Sequence, residues 1–437
     1  MNPTHTTTEA AAPSPIASAA TVRQVAERLR ATGLRCLAPR PIADILRVLA
    51  ETVEAWLHPD SPWRRRAEAA LPAATGFSAP MIRHGLRLLL EPLRGDAIGR
   101  LLDTELAERT VLDRISGPPL MLHIVSGNIP ALAAVPIALS LAVKSAALVK
   151  ESRGDRVFPP LFIESLRAID GELGSCAASL YWMGGRVDVE VAAFAAADLV
   201  VAAGDDATIA DITRRVPGRF IGHGHRISFA VIAREARQEA EAIAARLAYD
   251  VAVWDQQGCL SPQLVYVERG GALGVERFAA ELCRQLELAA IELPPRQLSV
   301  EDAAGVLRFR QEAEWRAVRG EEVLVLVSPG GTGGTVVYDA KPAFVPTPLN
   351  RTVWVKPVDT LAELPPLLAP ARPYLEAAGL AAPPARQADL SALLTRAGVH
   401  RLCPLGEMQR PDLTWRPGGR PRVAQWVGAP FSGIGQA

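Results

Sequence analysis

Residues 250–268, DVAVWDQQGCLSPQLVYVE, place a cysteine between a helix-forming stretch and a strand-forming one. Upstream, REARQEAEAIAARLA (234–248) is rich in Ala, Glu, Arg and Leu, which lose little rotamer freedom in a helix, and its apolar positions recur at helical spacing. Downstream, QLVYV (263–267) combines β-branched and aromatic residues between Pro262 and the Gly270–Gly271 pair, the pattern of a short buried strand. Cys259 therefore falls in the connecting turn. A thiol serves chemistry only where substrate reaches it and its thiolate is favoured; unperturbed, with a pKa of about 8.5, it is a few per cent ionised near neutrality. The flanking Asp255, Gln256, Gln257 and Ser261 predict a polar, accessible turn and a nucleophilic rather than an inert cysteine.

Working outward, the 437 residues exceed one ordinary core and predict two domains. Lys plus Arg (47) equals Asp plus Glu (47), which argues against a general polyanion binder and indicates no nucleic-acid partner, while leaving room for local basic pockets. Five cysteines, odd in number and without a C-x-x-C pair, predict neither a disulfide framework nor a cysteine zinc cluster, and fit a reducing, cytoplasmic setting. The Thr-, Ala-, Ser- and Pro-rich residues 1–20 lack a basic head and an apolar run, and are expected to be a disordered leader. IPALAAVPIALSLAVKSAALV (129–149) approaches the length of a membrane span, but Pro130, Pro136 and Lys144 favour a buried helix leading into a buried strand.

From Val22 to Leu106 the pattern is helical and carries no chemical motif. From Arg114 onward short apolar runs alternate with helical ones, the signature of a parallel sheet covered on both faces. Strands are expected over Leu120–Val125, Ala146–Lys150, Ala178–Met183 and Leu199–Ala202, with helices over Ala131–Ser145, Pro160–Ile169 and Arg186–Ala195 between them. In such sheets ligands bind beyond the carboxyl ends of the strands, where Asn128, Lys150, Gly184 and Gly204 fall. No G-x-G-x-x-G opens a βαβ unit, so a dinucleotide would be held in another way. His223 and His225 stand two apart in IGHGHRIS (221–228) without a third ligand at a recognisable spacing, and no metal is expected. SPGGTGGT (328–335) lacks the lysine and following helix of a phosphate loop and predicts a hairpin or a mobile loop. Beyond Cys259, helices over Gly274–Leu288 and Val300–Ala317 and strands over Val323–Val327, Thr335–Tyr338 and Thr352–Val355 describe a second α/β unit. The Pro-rich Leu364–Arg386 predicts an irregular connection or broken helix, and Val399–Leu405 and Arg422–Val427 predict short strands.

HIVSGNIP (123–130), ALVKES (147–152), DLVVAAGDDATI (198–209), FIGHGHRISFAVI (220–232), WDQQGCLSPQLVYVE (254–268) and GVHRLCPLGEM (398–408) together resemble the acyl-CoA reductases that supply fatty aldehyde to bacterial luciferase, a branch of the aldehyde dehydrogenase superfamily. The resemblance implies an α/β, aldehyde dehydrogenase-like fold with two parallel-sheet domains and a cleft between them. Residues 21–236 would form the nucleotide-binding domain with its N-terminal helices, 237–404 the catalytic domain carrying Cys259, and 405–437 a return or oligomerisation segment. It also implies that Asn128 and the backbone N–H of Cys259 are oxyanion donors, that Lys150 holds the adenosine ribose, and that Ser152, Gly184 and Gly204 lie on the cofactor side. Arg153, three residues beyond Lys150, would pair with a 2′-phosphate and select NADPH, with NADH as the alternative. Asp205 and Asp206 depart from the superfamily's small polar residues after Gly204 and are expected to favour the start of the next helix. The E-L-G-G run that carries the hydrolytic general base is absent, which fits an acyl-enzyme reduced rather than hydrolysed.

The implied reaction is attack of the Cys259 thiolate on an acyl-CoA thioester, retention of the acyl group on sulfur, and its release as aldehyde. An acyl-activating synthetase is an implied partner, and a homo-oligomer the implied assembly. An oxidising aldehyde dehydrogenase, an acyl-phosphate reductase and a non-catalytic scaffold are the alternatives.

Overall fold

The computed structural model describes residues 15–427 apart from 329, 330 and 332. Residues 1–14 of the expected leader lie outside that range. Its last residues are structured instead: Ile16 bridges to Tyr181, the Ala17 N–H donates to the Tyr181 carbonyl at 2.7 Å, and helix α1 (Ala19–Cys36) starts on a Ser18 cap. Serine caps of the same kind start α3 (Pro62–Thr75) and α4 (Ala79–Leu90), where a side-chain oxygen accepts an otherwise orphaned N–H. With α2 (Ile42–Leu57) and α5 (Ala97–Leu106) they form the helical N-terminal region that the sequence pattern predicts.

The first sheet is parallel, in the order β3 (Ala177–Tyr181), β2 (Ala146–Glu151), β1 (Leu120–Ile124), β4 (Leu199–Ala203), β5 (Arg219–His223). Helices α6 (Ala134–Ala142), α7 (Phe158–Ile169), α8 (Gly171–Ser175), α9 (Val187–Ala196) and α10 (Asp206–Arg215) connect its strands. Side chains alternate between two cores as the two-residue strand period requires: Leu120, Leu122, Ala146 and Leu148 on one face, Met121, Ala147 and Val149 on the other. The apolar run at 129–149 divides into α6 and β2, and no helix of the described residues is long and apolar enough to cross a membrane. Lys144 takes a left-handed turn between them (φ 58°), and its buried ammonium donates to the Ala38 carbonyl at 3.3 Å.

The second sheet runs β12 (Arg401–Pro404), β11 (Leu375–Ala381), β6 (Ile227–Ile232), β7 (Pro262–Glu268), β10 (Thr352–Val358), β9 (Thr335–Asp339), β8 (Val323–Val327). Only β8 is antiparallel to its neighbour, which makes β8–β9 the expected hairpin. Helices α11 (Ala240–Ala252), α12 (Val275–Glu292), α13 (Val300–Val318), α14 (Leu364–Leu368) and α15 (Pro384–Ala397) cover it.

Three expectations are corrected. β6 already belongs to the second sheet, so the chain crosses between sheets at 224–226 rather than at 236/237; both strands sit in one apolar run with only Gly224–Arg226 between them. β11 lies inside the stretch read as irregular, because LEAAGLA has no β-branched or aromatic residue and its strand state comes from pairing with β6 and β12. Residues 422–427 do not form a strand: they end in a short helix, α16 (Ala424–Val427), whose first N–H groups are taken by Glu105, with both oxygens 2.7 Å from the Arg422 and Val423 nitrogens.

Candidate functional site

The turn that carries Cys259 is shaped by three consecutive non-glycine residues in the left-handed region, Trp254 (φ 56°), Asp255 (φ 48°) and Gln256 (φ 64°). Such residues cost roughly 1–2 kcal/mol each and persist only where surrounding contacts over-determine them. A second left-handed triplet, Leu349 (φ 60°), Asn350 (φ 56°) and Arg351 (φ 59°), interlocks with the first. Asp255 Oδ1 accepts Arg351 Nε at 2.6 Å and its Oδ2 accepts the Arg296 N–H at 2.8 Å. Gln256 pairs both ways with the Thr352 backbone, Oε1 accepting its N–H at 2.8 Å and Nε2 donating to its carbonyl at 2.9 Å. Burial works against charge on both ion-pair partners, raising Asp255 and lowering Arg351, and their short contact offsets it. Trp254 plugs into the helical region: its ring meets Phe77 edge-on at 5.2 Å, and a Cβ added to Gly85 of α4 would lie 2.0 Å from it.

The turn is thus less polar at its surface than expected. Asp255, Gln256 and Ser261 are buried and bonded, while Cys259 itself is exposed. Ser228 Oγ donates to the Cys259 carbonyl at 2.7 Å and accepts the Ala377 N–H at 3.1 Å, tying the turn to β6 and β11. Solvent reaches the residue, yet protein crowded about the sulfur would leave a thiolate poorly hydrated, and this pushes the thiol up to about 12. Glu376 adds to the rise; the residue's own N–H, Arg226 and Arg422 oppose it. Glu376, on β11, is buried, accepts the Gly418 N–H with both oxygens at 3.0 and 3.1 Å, and lies 3.5 Å from Arg226. Arg422 is carried back to the site by the C-terminal segment, its Nε donating to the Trp415 carbonyl at 3.0 Å.

Asn128, in the loop after β1, meets this turn from the first sheet. Its Nδ2 donates to the carbonyl of Gln257, two residues before the cysteine, and the neighbouring Ile129 side chain lies 3.3 Å from the Cβ position of Gly258. An amide nitrogen carries two hydrogens, so one remains for a substrate oxygen. The loop is held from behind. Asp155 Oδ2 accepts the Ala131 N–H at 2.9 Å, and Gly127 and Gly154 pass so close that a Cβ on Gly154 would sit 2.6 Å from the Gly127 carbonyl oxygen. Burial pushes Asp155 up to about 6 against the pull of its three backbone donors.

The expected cofactor residues sit along the carboxyl ends of the same strands. Lys150 is half-buried at the end of β2, 5.7 Å from the Trp182 ring centre, and burial lowers it. Arg153 and Gly184 are exposed. Ser152 is placed differently from expectation: it is buried and its Oγ accepts the Asp155 N–H at 2.9 Å, so it braces the loop. Gly204 follows β4, across the switch in strand order from β1. Asp205 caps α10 through the Thr208 N–H at 2.7 Å, and Asp206 accepts the His225 N–H at 2.9 Å, so both carboxylates are occupied in shaping the chain. His223 ends β5 and His225 lies in the following turn, and no metal-holding group of three or more His, Cys, Asp or Glu occurs among the described residues.

Glu376, Arg226, Arg422 and Asp155 were not singled out from the sequence. Glu376 lay hidden in the unrecognised strand, Arg422 reaches the cysteine across 163 positions of chain, and a capping Asp155 resembles any helix start.

The acyl-CoA reductase (LuxC) family model matches residues 37–419, nearly the whole described chain. The chain belongs to this family. Among curated relatives of this acyl-CoA reductase family chain, long-chain acyl-protein thioester reductase 2 of Photobacterium leiognathi is 24% identical over 256 residues, 56% of this chain and 50% of that protein. The long-chain acyl-protein thioester reductase of Aliivibrio fischeri is 26% identical over 256 residues, with the same shares. The chain therefore spans about half the length of these relatives. Its fold is that of the aldehyde dehydrogenases. A NAD-dependent benzaldehyde dehydrogenase from Corynebacterium glutamicum superposes with a TM-score of 0.66 at 13% identity, over 91% of this chain and 89% of that one. An NADP-dependent glyceraldehyde-3-phosphate dehydrogenase from Bacillus halodurans gives 0.68 at 15%, over 89% and 83%.

Proposed function

We propose that this protein reduces a fatty acyl thioester to the aldehyde through an acyl group held on Cys259. The observation that carries the reading is the meeting of Asn128, from one sheet, with the turn that presents an exposed Cys259, from the other. The cysteine attacks the thioester carbonyl, the donor thiol leaves, and the oxyanion formed on the way is met by the free N–H of Asn128 and the Cys259 backbone N–H. Arg226 and Arg422 favour the thiolate that attack requires.

The residues along the first sheet suit a nicotinamide dinucleotide. Lys150 offers a half-buried donor for ribose hydroxyls, and Met183, Val187 and Val191, which follow in sequence the Trp182 ring that Lys150 faces, are apolar yet exposed, the combination an adenine face requires. Arg153 is exposed and suits a 2′-phosphate, which favours NADPH over NADH. When bound, the reduced nicotinamide supplies the hydride that converts the acyl group to aldehyde. Gly204 leaves the end of β4 uncrowded, and Asp205 and Asp206 are turned to backbone N–H groups rather than to a phosphate. All five cysteines are free, in keeping with a reducing cytoplasm.

The donor is a thioester on CoA or on a protein. The relatives' names favour the second, which would make an acyl-carrying protein, such as an acyl-activating synthetase, the partner. Aldehyde formation measured with NADPH and, in parallel, acyl-CoA, an acyl-loaded carrier protein and acyl phosphate tests this. Turnover of a thioester, lost in Cys259→Ala, is expected; turnover of acyl phosphate alone, or turnover kept in Cys259→Ala, overturns it.

A further inference from the structure

Helix α13 has two unlike faces. Val306, Phe309 and Ala313 pack inward with Val323 and Val325 of β8, while Arg310 and Arg316 reach β9, at Thr335 and Asp339. The opposite face carries a second stripe, Val300, Ala304, Leu307, Gln311, Trp315 and Val318, apolar except at Gln311 and three or four residues apart, which is the spacing of one helix face. Nothing among the described residues covers it: Val300 is 81% exposed, Leu307 54%, Trp315 68% and Val318 78%. Ser299 caps the helix through the Asp302 N–H at 3.1 Å, so the stripe is displayed on an ordered element.

We infer that this face pairs with the same face of a second copy of the chain, the two helices running antiparallel across a two-fold axis level with Arg310. The charges beside the stripe select that partner. Glu301, Arg308, Glu312 and Arg319 are all exposed, and among the described residues none of the four makes an ion pair. At about 100° per residue they fall within some 40° of one another, on a single flank. In an antiparallel pair each flank meets its own counterpart. Pairing level with Arg310 then sets Glu301 opposite the second copy's Arg319 and Arg308 opposite its Glu312, each contact occurring twice. Any shift of one helical turn sets like charges together. In the same register Leu307 falls between Gln311 and Trp315 of the other copy, so the stripes interdigitate. A self-facing patch of this kind is what closed two-fold symmetry requires. Alternating acidic and basic residues on the flank are poorly suited to an anionic lipid surface, which selects for Lys and Arg.

A helix pair of this length lies at the small end of specific interfaces, so a reversible dimer is expected. The association is independent of the acyl chemistry proposed for Cys259. Sedimentation velocity of the full chain, from nanomolar to high micromolar, reads it directly. Dimerisation is expected to weaken at least tenfold in Arg308→Glu and again in Glu312→Arg, each of which sets like charges together, and to return in the Arg308→Glu/Glu312→Arg double variant, which restores opposite charges. Leu307→Glu is expected to leave a monomer with unchanged helix content by circular dichroism. A wild type that stays monomeric at high micromolar, a dimer indifferent to these changes, a double variant weaker than either single one, or capture on anionic vesicles without self-association overturns the inference.

Discussion

Around Cys259 the supporting groups are buried and bonded before any substrate arrives: Asp255 to Arg351 and the Arg296 N–H, Gln256 to Thr352 and Pro262, Ser228 to the Cys259 carbonyl. Along the rim proposed for the cofactor the reverse holds, with Arg153 and Gly184 exposed and Met183, Val187 and Val191 presenting apolar surface to water. Under the proposed function the difference follows from what each region must do. A nucleophile has to be aimed to within a fraction of an ångström, which only packing and satisfied hydrogen bonds provide, whereas a rim that receives and releases a large soluble molecule must leave its contacts unmade.

The comparison predicts that the turn is fragile to small changes and the rim is not. Arg351→Met strands the Asp255 carboxylate in the interior, and breaking a buried pair in this way costs about 3–5 kcal/mol. Chemical denaturation is expected to show that loss, and wild-type stability would mean that the left-handed triplets are not held by the pair. Gly85→Ala, 2.0 Å from the Trp254 ring, forces the plug outward at a cost of about 1–3 kcal/mol and is expected to slow alkylation of Cys259 although position 85 lies far from it in sequence. Arg153→Ala, on the rim, is expected to change stability by less than about 0.5 kcal/mol while lowering the preference for NADPH over NADH. Equal use of both cofactors, unaffected by that change, would remove the 2′-phosphate role.

The thiol itself sharpens the contrast. Because the protein crowded about the sulfur pushes it up to about 12, raising the pH by one unit should increase the thiolate, and the rate of iodoacetamide alkylation, about tenfold throughout the neutral range, without the levelling near pH 8.5 of a free cysteine. Glu376→Gln takes a negative charge from beside the sulfur and is expected to speed alkylation at fixed pH by up to about tenfold. A plateau near pH 8.5, or slower reaction in Glu376→Gln, would contradict this electrostatic account.

Much of this was legible in the chain. The α/β alternation from Leu120 to Ala203, the buried helix and strand at 129–149, and the strand after Cys259 follow from periodicity and residue type, because local pattern and tertiary burial agree there. Asn128 and Lys150 could be placed at strand ends for the same reason. The remainder depends on partners far away in sequence. LEAAGLA becomes a strand only between β6 and β12, RVAQWV becomes a helical turn only because Glu105 supplies the cap, and Asp255 and Gln256, quoted for their place in a motif, prove to be the clasp between two strained turns. Ser152 shows the same limit from the other side, a cofactor candidate by position whose burial and whose bond from the Asp155 N–H are invisible in the sequence.

The central claim is that the sulfur of Cys259 carries the acyl group. Intact-protein mass spectrometry after exposure to a fatty acyl thioester without reductant tests it most directly. The account predicts a mass gain of one acyl group, discharged on adding NADPH and absent in Cys259→Ala. An unmodified wild type, or acylation that persists in Cys259→Ala, would contradict it.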